Sequence, residues 1–131
     1  MFKANYVFDY TKALVHVELG EELDYAELVA IREEVRHMCA SCPHAVAIYD
    51  YVNKPKFQNF SLTLYRKINT IRLDIIINVG MNPVQRSFAK LVHTIKPASN
   101  EIYFADTYIE AVNLAKSLLP EYFLDEKVAP C

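Results

Sequence analysis

The sequence predicts an α/β fold: an opening β-hairpin, then alternating helices and strands. The result is a mixed, mostly parallel sheet of about five strands with four helices. Three observations carry this. The apolar period is two residues at the start and switches to helical spacing after residue 24. The run "AVAIY" (Ala45–Tyr49) is continuously apolar, as strands buried on both faces are. Helix-capping signals recur before each later apolar stripe. The implied order is β-β-α-β-α-β-α-β-α, in which alternating units close into a parallel sheet covered by helices.

Residues 5–10 and 13–19 read as the hairpin strands. In the second, Val15, Val17 and Leu19 alternate with His16 and Glu18. Asp24 with Glu27 forms a capping box, and Leu23 with Leu28 a hydrophobic staple, for a first helix whose stripe is Leu28, Ile31, Val35 and Met38. Pro43 stops it. A second helix is expected from Phe57, Phe60, Leu64 and Ile68 on one face, with Arg66 and Lys67 turned away. "RLDIIINV" (Arg72–Val79) is the next strand, ended by Gly80. Asn82 is then the N-cap and Pro83 the first residue of a third helix, with the stripe Val84, Phe88, Leu91, Val92 and Ile95. "EIYF" (Glu101–Phe104) is the last strand. Thr107 with Glu110 caps a final helix to about Leu119, before Pro120.

A chain of 131 residues suits one domain, 1–131, with a core at about 5–119 and a tail at 120–131. Its longest aliphatic run, Ile75–Ile77, is too short to span a bilayer, and the start shows no apolar signal-peptide core. Three cysteines, an odd number, argue against a disulfide framework, so the expected compartment is the cytoplasm. Two glycines, Gly20 and Gly80, cannot build a phosphate loop or a dinucleotide fingerprint. No cofactor is expected.

Charge is unevenly spread. Residues 1–50 carry −5, residues 51–100 carry +7 and residues 101–131 carry −4. The basic block includes Lys54, Lys56, Arg66, Lys67, Arg86 and Lys90. If the second and third helices are neighbours, these residues form one positive surface suited to an acidic protein partner or an anionic ligand. Nucleic acid is disfavoured, because the chain is acidic overall and holds no recognition motif. The acidic first helix (Glu27, Glu33, Glu34) could instead meet the basic block of a second copy, giving a homodimer.

"HMCASCPH" brings His37, Cys39, Cys42 and His44 together in sequence. Structural zinc usually takes two ligand pairs separated by a longer loop. A thiolate at a helix C-terminus is disfavoured by the dipole. The segment reads as an ordinary helix end with buried thiols, and no metal is expected. Ser61, Ser87, His93 and Asp50 form no recognisable nucleophile arrangement. A phospho-receiver reading of Asp50 fails because receivers also need an acidic pair after the first strand and a lysine after the last, and here the last strand runs into Ala105-Asp106.

"AIYDYVNKPKF", "NVGMNPVQRSFAKLV" and "YFADTYIEAVNLAKSLLP", in this element order, resemble the STAS superfamily, in particular its bacterial anti-anti-sigma-factor-like branch. There is a looser similarity to CRAL-TRIO lipid-binding domains. The resemblance implies a non-enzymatic regulatory or protein-interaction module in bacterial signalling. In signalling members, the loop after the central strand leads to an Asp-Ser pair, and a partner kinase that is also the anti-sigma factor phosphorylates the serine. Asp50 matches the strand-ending acid and Phe57 the hydrophobic residue before that pair. Gln58 and Asn59 stand where Asp-Ser is expected, and Ser61 lies two positions beyond Asn59. The binding residues expected on this edge are therefore Asp50, Lys54, Lys56, Phe57, Gln58, Asn59 and Ser61, with Arg66, Lys67, Asn82 and Arg86 beside them. The alternative is a small apolar-ligand or lipid carrier of CRAL-TRIO type, with Phe57, Phe60 and Tyr65 lining its pocket.

Overall fold

The computed structural model describes residues 1–57, 75–95 and 101–123. Five strands form one sheet: β1 (Lys3–Tyr6), β2 (Leu14–Glu18), β4 (Val46–Asp50), β6 (Ile75–Val79) and β7 (Glu101–Ala105), in the order β1-β2-β4-β6-β7. β1 is antiparallel to β2, and the other neighbours are parallel. Two further strands, β3 (Glu22–Leu23) and β5 (Lys56–Phe57), pair in parallel as a separate two-residue ladder. The helices are α1 (Tyr25–Met38), α2 (Pro83–Ile95) and α3 (Tyr108–Leu118), with a short 3-10 turn at Pro120–Tyr122. The expected mixed, mostly parallel sheet is thus present.

The core lies on both faces of the sheet. On one, Val15, Val17, Ala47, Tyr49 and Ile76 pack with Leu28, Ile31, Val35 and Met38 of α1 and Ala89 of α2. On the other, Leu14, Val46, Ile48, Ile75 and Ile77 pack with Ala111 and Ala115 of α3. Successive strand residues point to opposite faces, so β4 and β6, with both faces covered, are buried throughout. Ala111 and Ala115 share one side of α3, and their small side chains let it lie close to the strands. Fully burying a side chain such as Ile48 or Ile77 contributes roughly 1.5–3 kcal/mol.

The N-caps form as expected, but the two boxes do not close: Glu27 Oε1 accepts the Phe2 N–H and Glu110 Oε2 the Asp106 N–H, not those of Asp24 and Thr107. Asp24 Oδ1 accepts the Glu27 N–H at 2.8 Å and opens α1. Thr107 Oγ1 accepts the Glu110 N–H at 3.2 Å and opens α3. Asn82 and Gln85 cap α2 reciprocally, Asn82 Oδ1 accepting from Gln85 N at 2.8 Å and Gln85 Oε1 from Asn82 N at 3.0 Å.

Three expectations are corrected. The first strand is Lys3–Tyr6 and not 5–10, because the chain turns after Tyr6, which pairs with Val15. Phe8 instead stacks on Tyr10 and meets Phe123 edge-on, covering the α3 side of the core. Phe57 does not begin a helical stripe: its backbone belongs to β5, paired with Leu23. The rest of the expected second helix lies outside the described residues. In α2, Val84 and Leu91 are not core. They are 78% and 53% exposed, while Ala89 is buried. At 100° per residue Leu91 sits about 160° round the helix from Ala89, so the wide apolar arc leaves one edge in solvent.

Candidate partner-binding edge

The carboxyl ends of β4, β6 and β7 stand side by side. Tyr51 N donates to Val79 O at 2.9 Å, and Gly80 N donates to Ala105 O at 3.1 Å. Gly80 has φ +77°, the left-handed region that glycine enters without a Cβ penalty. It turns the chain from β6 into α2. Ligand sites in open α/β sheets gather at this edge.

Asp50 closes β4 and anchors the turn that follows. Its Oδ1 accepts the Val52 N–H at 3.0 Å, a local Asx-type turn. Lys54 N donates to Tyr51 O at 2.9 Å, and Asn53 Nδ2 donates to Leu19 O at 2.8 Å. Pro55 is buried behind the turn. The turn is therefore tied at four points, and it holds Val52 outward with 63% of its surface exposed. Lys54 sits at φ +47°, a conformation costly for any residue with a side chain.

The other Asp50 oxygen was not foreseen to have a protein partner. His16 Nε2 lies 3.0 Å from Oδ2 and donates its N–H to it. Strand register places His16 opposite Ile48, so His16 and Asp50 lie on one face two residues apart. Alternation marked His16 as the solvent side of β2; the signal it lacked was which neighbour strand would end in an acid. The Tyr108 ring, at the start of α3, covers His16 with centroids 4.5 Å apart. Burial first, and then the Asp50 charge, push the Tyr108 hydroxyl pKa up.

Beside this turn, α2 opens over β7. Arg86 Nε donates to Met81 O at 3.2 Å, and Arg86 Nη2 pairs with Asp106 Oδ1 at 2.8 Å. The Arg86 guanidinium and the Lys90 ammonium both lie over the Phe104 ring, at 5.6 and 5.5 Å from its centroid. Met81, Pro83, Arg86, Ser87, Lys90 and Asp106 line an open cleft of about 520 Å³. The partial positive charge of the α2 N-terminus adds to that of Arg86 and Lys90. Asp106, paired with Arg86, lines the same cleft and offsets part of that charge.

Of the expected site residues, Asp50 and Lys54 thus share one turn, and Asn82 and Arg86 flank it. Lys56 and Phe57 are placed by backbone only, in β5. Gln58, Asn59, Ser61, Arg66 and Lys67 lie outside the described residues. At the end of α1, burial pushes the free Cys39 thiol to about 11. Cys42 is disulfide-bonded, a crosslink the odd cysteine count did not foresee. His37 and His44 are exposed.

Sheet order and helix placement define a mixed, mostly parallel α/β sandwich with helices on both faces of the sheet. Two solved structures show the same fold over nearly their whole length. The "Bacillus Cell Fate Determinant SpoIIAA in the Phosphorylated Form" aligns with a TM-score of 0.55 and 19% identity, over 88% of this chain and 99% of that one. The "Anti-Sigma Factor Antagonist SpoIIAA in its Unphosphorylated Form" aligns at 0.59 and 17%, over 88% and 98%. No protein-family model matches the sequence, and no curated relative does. Among the described residues no helix is long and apolar enough to cross a membrane.

Proposed function

We propose that this chain is a non-enzymatic regulatory module, a single domain of bacterial signalling. It binds an acidic face of an anti-sigma-factor-like protein through the carboxyl edge of its sheet. One observation carries the reading. The large apolar side chains Val52, Val84 and Ile109, each more than half exposed, follow the adjacent strands β4, β6 and β7, next to Lys54 and Arg86. Exposed apolar groups gathered at one rim and bordered by cations favour a protein partner over a small ligand. Resemblance to an anti-sigma factor antagonist supports the class of partner.

The module works without the usual phosphoacceptor, because Gln58-Asn59 replaces Asp-Ser in the sequence. Binding is then set by partner concentration and ionic strength and not by a phosphate. The test is calorimetric titration of an anti-sigma factor from the same genome, with intact-mass analysis after incubation with that partner and ATP. Saturable binding that weakens with salt, with no added phosphate, is the expected result. A phosphate localised to Ser61 overturns the switchless reading, and binding unchanged by Lys54→Glu overturns this edge.

A further inference from the structure

We infer that the outer faces of α1 and α2 are the two halves of a self-complementary interface, whose occupant is a second copy of this chain. It shares Val84 and the Arg86–Lys90 cleft with the partner-binding edge, so the two occupants would compete there, but its acidic half on α1 lies outside that edge and tells the two readings apart.

The observations are charge, apolar exposure and placement. Opposite its buried stripe, α1 shows Ala26, Val29, Ala30 and Glu33, all exposed and at helical spacing, with Glu34 beside them. Around its start, Glu21, Glu22, Asp24 and Glu27 line an open acidic cleft of about 590 Å³. The outer face of α2 shows Val84, Ser87 and Leu91 at steps of three and four, with Lys90 alongside. Its start carries the Arg86–Lys90 cleft. The α1 face is acidic with a small apolar centre, although Arg36 lies 4.0 Å from Glu33, and the α2 face is basic with a larger one, although Arg86 pairs with Asp106.

Both helices cover the same face of the sheet, since Leu28, Ile31 and Val35 share a core cluster with Ala89. Each starts at the carboxyl edge: Leu19 N bonds Asp50 O just before α1, and Gly80 N bonds Ala105 O just before α2. A two-fold axis parallel to the helices keeps their direction and lays α1 of each copy on α2 of the other. Glu33 lies about two turns into α1 and Lys90 about two turns into α2, so the opposite charges fall level. Val29 and Leu91 then belong to the apolar centre. Each contact occurs twice, and the assembly closes as a dimer.

The experiment is sedimentation equilibrium at low and high salt, with charge-swapped variants. Wild type is expected to dimerise at low salt and to dissociate at high salt. Glu33→Lys/Glu34→Lys is expected to be monomeric, and adding Lys90→Glu to that variant to restore the dimer. These side chains are exposed, so circular dichroism should show each variant folded. A second readout fixes the pairing. Val29→Cys mixed with Ser87→Cys, which the same register puts level, should crosslink between copies faster than either alone. A monomer at millimolar concentration in low salt overturns the inference. So does a dimer indifferent to the swaps, open-ended growth, or Val29→Cys crosslinking best to itself.

Discussion

Lys54 offers a test in which conformation and charge separate. Its φ of +47° is in the left-handed region, where an L-residue loses about 1–2 kcal/mol. Lys54→Gly removes that cost but returns roughly 0.5–1 kcal/mol through the freer unfolded chain. The net expectation is a gain of about 0.5–1 kcal/mol, or about 2–4 °C in Tm for a chain this size. Gly80→Ala is the converse. At φ +77° the added methyl meets nothing nearer than the Tyr51 backbone at 4.0 Å, so its cost is conformational alone, about 1–2 kcal/mol. Urea titration of both variants beside wild type gives the two values. A Lys54→Gly protein less stable than wild type by 0.5 kcal/mol, roughly the resolution of such titrations, would refute the reasoning. The Lys54 side chain would then be stabilising the turn and not merely displayed by it. The same variant is expected to lose partner affinity while gaining stability, the pattern of strain kept at a working site.

Asp50→Ala removes the acceptor for both the Val52 N–H and His16, and should cost about 2–4 kcal/mol in a thermal melt, with Asp50→Asn costing less because one oxygen remains. Arg32 is 1% exposed, and neither its Nε nor its Nη1 has a hydrogen-bond partner among the described residues. Arg32→Met should therefore leave chemical-denaturation stability unchanged or raise it by about 1–4 kcal/mol, and a clear loss would reveal a compensating anion. With its pKa near 11, Cys39 should react about 100-fold more slowly than a free thiol of pKa 9.0 toward a disulfide reagent at pH 8, and rapidly once denatured. The sign for stability follows: the unfolded chain loses the thiol proton first, so stability falls as pH rises from about 9 to 11. Cys39→Ala should lack that part of the decline.

The N-caps at Asp24 and Thr107 and the buried runs of β4 and β6 were legible because each rests on local chemistry. Hairpin limits were not, since the pairing of Tyr6 with Val15 is decided across the turn. The two-residue ladder of Leu23 with Phe57 lacks any periodic signal at that length. The exposed side of α2 was hidden by an apolar arc wider than the surface its neighbours bury. At the site, Asp50 and the basic residues were readable from composition and strand ends. His16 was not, because alternation fixes a face but not the neighbour that face meets. The left-handed Lys54 was equally silent, as lysine gives no hint of positive φ.

The central claim is that the carboxyl edge around the Asp50 turn docks an acidic protein face. Its most direct measurement is the affinity of an anti-sigma-factor-like partner for wild type and for Lys54→Glu/Val52→Asp, at two salt concentrations and at protein concentrations below self-association. A loss of at least about tenfold, equivalent to about 1.4 kcal/mol, with unchanged circular dichroism, is the predicted result. Equal affinity for both proteins would contradict the account and move the binding surface elsewhere on the fold.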